Sequence, residues 1–194
     1  MMTEEEIKYA KDRFKNHIAT FTDYGNIKII DFKNPESVNY RIRFLFEEDY
    51  YKLHITGDLG ELVASNYNNM CYESFKDFVD NIGYFKSKIK CHSNDIYEYD
   101  YEKAKKDLEE RLEECDFTPE YDFESEEELR EKKIEEILED LNTRTGLGSK
   151  AYDILSELDP DCFEWIDVVG RVDTNILELY MLAFKQAVKQ LNQK

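Results

Sequence analysis

The stretch of residues 40–64 reads YRIRFLFEEDYYKLHITGDLGELVA. Apolar side chains occupy every second position from Tyr40 to Phe46, the pattern of a strand with one buried face. The acidic residues at 47–49 predict a turn, and a further strand follows to about Ile55. A tight connection at 56–60 leads into a fourth apolar segment at 62–64. Such short connections favour consecutive antiparallel pairing of the strands.

Helical patterns flank this predicted sheet. Thr3 and Glu6 form a capping-box pattern, and apolar residues at helical spacing predict a first helix to about Thr22. A strand is predicted over about 27–32, and helical spacing returns at 72–82 and 84–89. We therefore expect an α+β fold with an N-terminal helix, a small antiparallel sheet of about four strands with helices on one side, and a helical acidic C-terminal region.

The sequence predicts two parts. Residues 1–94 form the α+β module of helix, antiparallel sheet and two short helices, and residues 95–194 form an acidic helical region packed on it. Asp100 is a helix N-cap, Ser125 and Glu128 make a second capping-box pattern, and a last helix is expected over about 174–191. The helical period of the acidic region indicates a folded segment.

Composition limits the class of protein. The chain has 44 acidic and 26 basic residues among 194, a net charge of −18. No apolar stretch approaches the ~20 residues of a membrane span, and the N-terminus has no secretory pattern. The four cysteines form no CxxC pair. We expect a cytoplasmic protein without membrane contact. The absence of a P-loop, an HExxH motif or an EF-hand loop predicts no cofactor or bound metal.

The acidic charge is concentrated in one segment. Asp95–Asp140 contains 21 acidic and 7 basic residues, which leaves 14 of the 18 net negative charges there. One interpretation is a pair of solvated helices that serve solubility. The other is electrostatic mimicry of a phosphate backbone, because duplex DNA carries one charge per ~1.7 Å and a helix rises ~1.5 Å per residue. The candidate partner-binding residues are Glu109, Glu110, Glu113, Glu114, Glu126, Glu127, Glu131, Glu135 and Glu139.

A second motif lies within the predicted sheet, at residues 54–61. Gly57 and Gly60 suit a tight turn that needs positive φ angles, and Asp58 is suited to bonding the amides of its own turn. The alternative joins His54, Asp58 and Glu61 as ligands of a hard cation that activates water for phosphodiester cleavage. A nucleophilic cysteine with a histidine base is a further alternative.

The motif at 51–63, Tyr-x-Leu-x-Ile-Thr-Gly-Asp-Leu-Gly-Glu-Leu-Val, is followed about twenty residues later by Gly-Tyr-Phe-Lys-Ser-Lys at 83–88. Together they resemble a group of small proteins of Firmicute phages and prophages that commonly read SGDxGE and then YFxSK. Thr56 replaces the usual Ser, and Leu62-Val63 replaces the usual Ala-Val or Ala-Ile. The Glu-rich C-terminal half is also similar to that group.

Some members of this group look like anti-CRISPR proteins that act on type II effector nucleases. The resemblance therefore implies a phage-encoded inhibitor in the host cytoplasm. We expect it to bind the effector, or its complex with guide RNA, through the acidic surface and to block DNA recognition or cleavage. That acidic face is not expected to bind DNA directly. The alternative function is a metal-dependent nuclease that cleaves guide RNA or DNA.

Overall fold

A computed structural model describes residues 2–113, 115 and 125–193. The chain divides into two compact units, Met1–Ile96 with Asn175–Lys194, and Tyr97–Thr174. The first boundary lies close to the predicted one at residue 94. The last helix, which the sequence grouped with the C-terminal region, belongs to the first unit.

Both units contain helices and strands. The first unit contains α1 (Glu4–Arg13), β1 (Ile18–Asp23), β2 (Ile27–Lys33), β3 (Ile42–Glu47), β4 (Lys52–Gly57), β5 (Leu62–Ser65), α2 (Lys76–Val79), α3 (Ile82–Lys86), β6 (Ile89–His92) and α7 (Ile176–Leu191). The second unit contains β7 (Tyr97–Tyr99), α4 (Tyr101–Arg111), α5 (Glu126–Leu138), β8 (Leu141–Asn142), β9 (Gly146–Leu147), α6 (Ser149–Leu158) and β10 (Arg171–Asp173), with 3₁₀ turns at Cys162–Glu164 and Ile166–Val168.

The first unit is built on a six-stranded antiparallel sheet in the order β1-β2-β3-β4-β5-β6. The α+β class, the N-terminal helix and the antiparallel sheet are confirmed. The predicted number of about four strands was too small, because β1 was assigned to the first helix and β6 was not recognised as a strand. Each strand pairs with its neighbour in sequence, and for β2 to β5 the short connections predicted this pairing.

The first helix is shorter than predicted. The capping box of Thr3 and Glu6 is present, but the helix ends at Arg13, where it was expected to reach Thr22. Residues 18–23 instead form an edge strand whose partner is β2. Its two large apolar residues, Ile18 and Phe21, are 46% and 38% exposed. The strand therefore lacks the alternation of apolar and polar residues from which a half-buried strand is predicted.

A side chain from the last helix fixes this edge strand. The Gln190 amide nitrogen donates to the His17 carbonyl at 2.8 Å, and its oxygen accepts from the Ala19 N–H at 2.9 Å. The amide thus imitates the pairing of a neighbouring strand. This contact covers part of a sheet edge that would otherwise present unpaired backbone groups.

One face of the sheet packs against the last helix. Phe184 of α7 lies with its ring centroid 5.3 Å from that of Phe44 and 6.3 Å from that of Phe46. Phe75 approaches Phe184 to 4.8 Å. All four side chains are buried. Aromatic edge-to-face packing therefore joins β3, α7 and the segment before α2 in one core.

The second unit has its own core beneath α4, α5 and α6. Asp100 caps α4 by accepting from the Lys103 N–H, and Ser125 caps α5 by accepting from the Glu128 N–H, as predicted. The stretch around Gly146 forms the small hairpin β8–β9. The buried core consists of Ala104, Leu108, Leu112, Leu129, Ile134, Ile137, Leu138, Ala151, Leu155, Cys162, Trp165, Ile166 and Val169.

Candidate interaction surface

Helix α4 buries one face and presents carboxylates on the others. Leu108 and Leu112 are fully buried at a four-residue spacing. Glu109, Glu110 and Glu113 are exposed. Burial of the apolar stripe in the second unit's core therefore fixes Glu109 and Glu110 on the solvent side of α4, and Glu113 is exposed in the turn that follows the helix.

Helix α5 displays a regular acidic stripe. Glu131, Glu135 and Glu139 are four residues apart and all exposed, whereas Ile134 and Ile137 are buried. Four residues of helix advance by about 6 Å, so the three carboxylates follow one line at that interval. One DNA strand carries a charge every ~3.4 Å. The stripe therefore has roughly half the charge density of a single strand, which is enough for an anionic patch but less than a full duplex mimic.

The first turn of α5 adds further exposed acids. Glu126 and Glu127 follow the Ser125 cap directly. Acidic side chains in this position are favoured by the positive end of the helix dipole, so they have a structural role as well. Glu114, also predicted to contact a partner, lies outside the described residues.

Two of the predicted partner-binding carboxylates are neutralised within the protein. Lys106 Nζ lies 3.6 Å from Glu110, and Lys150 Nζ lies 3.2 Å from Glu139. Within the described part of the chain, the other six form no ion pair. We define the acidic surface by these six exposed residues: Glu109, Glu113, Glu126, Glu127, Glu131 and Glu135.

Two members of the acidic surface are placed against local electrostatic preference. Glu131 and Glu135 are one turn apart, and like charges at this spacing destabilise a helix by roughly 0.2–0.5 kcal/mol. The last turn of α5 carries no basic residue. Glu135 therefore also lies near the negative end of the helix dipole without compensation. Local helix electrostatics therefore disfavour a carboxylate at both positions.

Sequence reasoning missed the pairing that reduces the acidic surface. Lys106 precedes Glu110 by four residues, a helical spacing that does predict an ion pair. Lys150 lies on α6 and reaches Glu139 only through the packing of α6 beside α5. No local pattern reveals that second pair.

The glycine-rich motif at residues 57–60 is a structural connection. Gly57 and Gly60 have φ angles of +143° and +99°, which confirms the predicted need for glycine. Asp58 does not bond the amides of its own turn. Its carboxylate accepts from the Arg41 backbone N–H at 2.7 Å and from Nε and Nη2 of the same residue at 3.1 and 2.9 Å. These bonds lower the pKa of Asp58.

The predicted catalytic alternative does not assemble. His54 Nε2 lies 3.3 Å from the Glu47 carboxylate, and the Glu61 N–H donates to Ser93 Oγ. Among residues 2–113, 115 and 125–193, His54, Asp58 and Glu61 are not grouped with ligand atoms within 4.8 Å of one another. Asp58 is instead committed to Arg41 by an ion pair and a backbone bond.

Another cluster has the spacing of metal ligands, but a lysine side chain supplies the positive charge there. Ligand atoms of Glu48, Cys71 and Glu73 lie within 4.8 Å of one another. Lys28 Nζ lies 3.0 Å from Glu48 and 2.5 Å from Glu73, with its side chain only 13% exposed. The hydrogen bond that the Lys28 ammonium donates to Glu73 raises the pKa of Lys28, so the ammonium remains charged and balances the carboxylates.

Comparison with known proteins supplies no relative. No protein-family model, no curated protein and no solved structure matches the chain. Within the described residues, no helix is both long enough and apolar enough to cross a bilayer.

Proposed function

We propose that this protein is an inhibitor that binds a basic partner surface through the acidic surface of α4 and α5. The observation that carries the proposal is the set of six exposed carboxylates without an ion-pair partner in the described residues. Exposed like charges gathered on one unit create a directional field that attracts a basic surface and repels nucleic acid.

The partner we propose is a type II effector nuclease or its complex with guide RNA. Such an enzyme holds nucleic acid in a positively charged channel. Carboxylates about 6 Å apart on a rigid helix offer that channel an anionic ligand that excludes the target strand. The phage-protein motif at residues 51–63 and 83–88 supports this choice of partner, and the acidic surface supports the mechanism.

Inhibition by occupancy is favoured over guide cleavage by the environment of Asp58. A catalytic carboxylate must be available to a metal ion or water. Asp58 accepts three hydrogen bonds from Arg41, one of them from the backbone. This arrangement serves the connection between β4 and β5.

The test is a cleavage assay with purified effector, guide RNA, labelled target DNA and Mg²⁺. We expect the protein to suppress target cleavage while the guide RNA remains intact on a denaturing gel. We also expect suppression to weaken as salt rises, because the Debye length falls from ~10 Å at 0.1 M to ~3 Å at 1 M. Shortened guide RNA would support the nuclease alternative. Suppression that is unchanged by salt would contradict contact through the acidic surface.

A further inference from the structure

The second unit contains a cavity of about 300 Å³ lined by three basic and two acidic side chains. One wall is the face of α4 that carries Lys103, Asp107 and Arg111. The other wall runs from Trp165 to Arg171 at the start of β10. Three basic side chains therefore meet at one cavity, two of them, Lys103 and Arg111, from the acidic segment 95–140.

The acidic side chains at this cavity are already compensated. Lys103 Nζ lies 2.7 and 2.6 Å from the two carboxylate oxygens of Asp107, and the Gly170 N–H donates to the same carboxylate at 2.9 Å. Glu110 has Lys106 at 3.6 Å. Because both carboxylates of the cavity are paired with lysines, its other cations have no counter-charge in the part of the chain that the structure describes.

Arg111 and Arg171 are those remaining cations. Neither forms an ion pair with a carboxylate among the described residues. The guanidinium carbon of Arg111 lies 5.6 Å from the Trp165 ring, and that of Arg171 lies 4.4 Å from the Tyr97 ring. A guanidinium held over a ring keeps the N–H donors at its edge available to a ligand, and two such edges suit the oxygens of a phosphate.

We propose that this cavity binds a small phosphoryl anion, either inorganic phosphate or a phosphate monoester. Arg111 and Arg171 donate hydrogen bonds to its oxygens, and the Lys103–Asp107 pair holds the wall of α4 in place. The surrounding negative charge repels a polyanion such as nucleic acid but leaves room for a single phosphoryl group. This site is independent of the inhibitor function, because it uses none of the residues of the acidic surface.

Trp165 makes the proposal directly testable, since it is the chain's single tryptophan and lies on the cavity wall. Its fluorescence is to be followed during titration with inorganic phosphate and, separately, with a nucleoside monophosphate at constant ionic strength. Sodium acetate serves as the control anion. We expect a saturable change with both phosphates and none with acetate. Tighter binding of the monophosphate identifies an ester as the ligand, and equal binding identifies phosphate alone.

Substitutions test whether the fluorescence change depends on the two arginines. Arg171→Gln and Arg111→Gln each remove charge-assisted hydrogen bonds and should raise the dissociation constant roughly tenfold or more. Arg144→Gln, an exposed change in the same unit, should leave it unchanged.

The unsubstituted protein provides a second measurement if a variant unfolds. Phosphate that binds the folded state must raise the unfolding temperature in proportion to ln(1 + [L]/Kd). No saturable change and no thermal shift by about 10 mM phosphate would overturn the proposal. An equal response to acetate would do so as well.

Discussion

Arg41 holds Asp58 with its backbone and its guanidinium at once. The backbone N–H donates to Oδ2 at 2.7 Å, and the side chain adds two bonds of 3.1 and 2.9 Å. In return, the Asp58 N–H donates to the Arg41 carbonyl at 3.0 Å. The glycine-rich motif is thereby fastened to the start of β3. This relationship explains why Asp58, a candidate metal ligand from the sequence, serves the fold.

Gly57→Ala should be strongly destabilising. A Cβ at residue 57 would lie 1.9 Å from the Arg41 carbonyl oxygen, and the φ angle of +143° is one that alanine rarely adopts. We expect a loss of about 2–4 kcal/mol in the free energy of unfolding, measured by urea denaturation. The control is Gly83→Ala in α3, where the nearest atom is 3.9 Å away. That change should stabilise by about 0.5–1 kcal/mol, and equal effects of the two changes would contradict the structural role of Gly57.

The stability of the first unit should fall in mild acid because of His17. This side chain is only 4% exposed between the rings of Phe14 and Phe32, and its Nε2 lies 3.0 Å from the Tyr40 carbonyl. Burial lowers the pKa of His17 below the ordinary value of 6.5.

The sign of this effect follows from proton binding. As pH falls through 6.5, the unfolded chain takes up a proton at His17 and the folded protein does not, so the free energy of unfolding decreases until the lower folded pKa is reached. Chemical denaturation at a series of pH values measures the slope. His17→Phe should flatten it, and substitution of the exposed His92 by Gln should preserve it. If the free energy of unfolding of His17→Phe still falls with pH in the same way, a group other than His17 causes the effect.

Gln190→Leu should destabilise the edge of the sheet. The change removes the partners of the His17 carbonyl and the Ala19 N–H, and Ala19 is fully buried. We expect a loss of about 1–3 kcal/mol together with faster aggregation, since an uncovered edge pairs with other chains. Thermal unfolding and light scattering measure the two effects. Gln193→Leu, at an exposed position of the same terminus, should change neither.

Much of the fold follows from local pattern, and the two missed strands show where pattern fails. The segments from β2 to β5 were predicted because their connections are short and the inward residues of β3 to β5 alternate. Strand β1 exposes Ile18 and Phe21 and continues the apolar spacing of α1, so its assignment depends on Gln190 from the far end of the chain. Strand β6 has four residues, largely exposed, and pairs with β5 through a bulge. Tertiary contacts override local preference in both cases.

The candidate site was predictable in position but not in its charge balance. Exposure of the acids on α4 and α5 follows from the helical spacing of the buried residues. The neutralisation of Glu139 by Lys150 depends on how α5 and α6 pack. The arginines at the cavity are 60 residues apart in sequence, which places Arg111 and Arg171 together only in the folded unit.

Glu135→Lys should stabilise the protein. The change removes the repulsion from Glu131, creates a favourable pair with it four residues earlier, and places a cation near the C-terminus of α5. We expect a gain of about 0.3–1 kcal/mol in the free energy of unfolding. Thermal and urea unfolding measure it, and a clear loss of stability would mean that the stripe has a structural role.

The most direct test of the inhibitor proposal is the association rate with the effector–guide complex, measured by surface plasmon resonance. The variant Glu131→Gln/Glu135→Lys is compared with Glu157→Lys/Glu164→Gln, which alters the net charge equally at exposed acids outside the acidic surface. We predict that the first variant associates about tenfold more slowly and that the second matches the unsubstituted protein. Equal rates for the two variants, whether both slowed or both unchanged, would contradict a specific contact through α5.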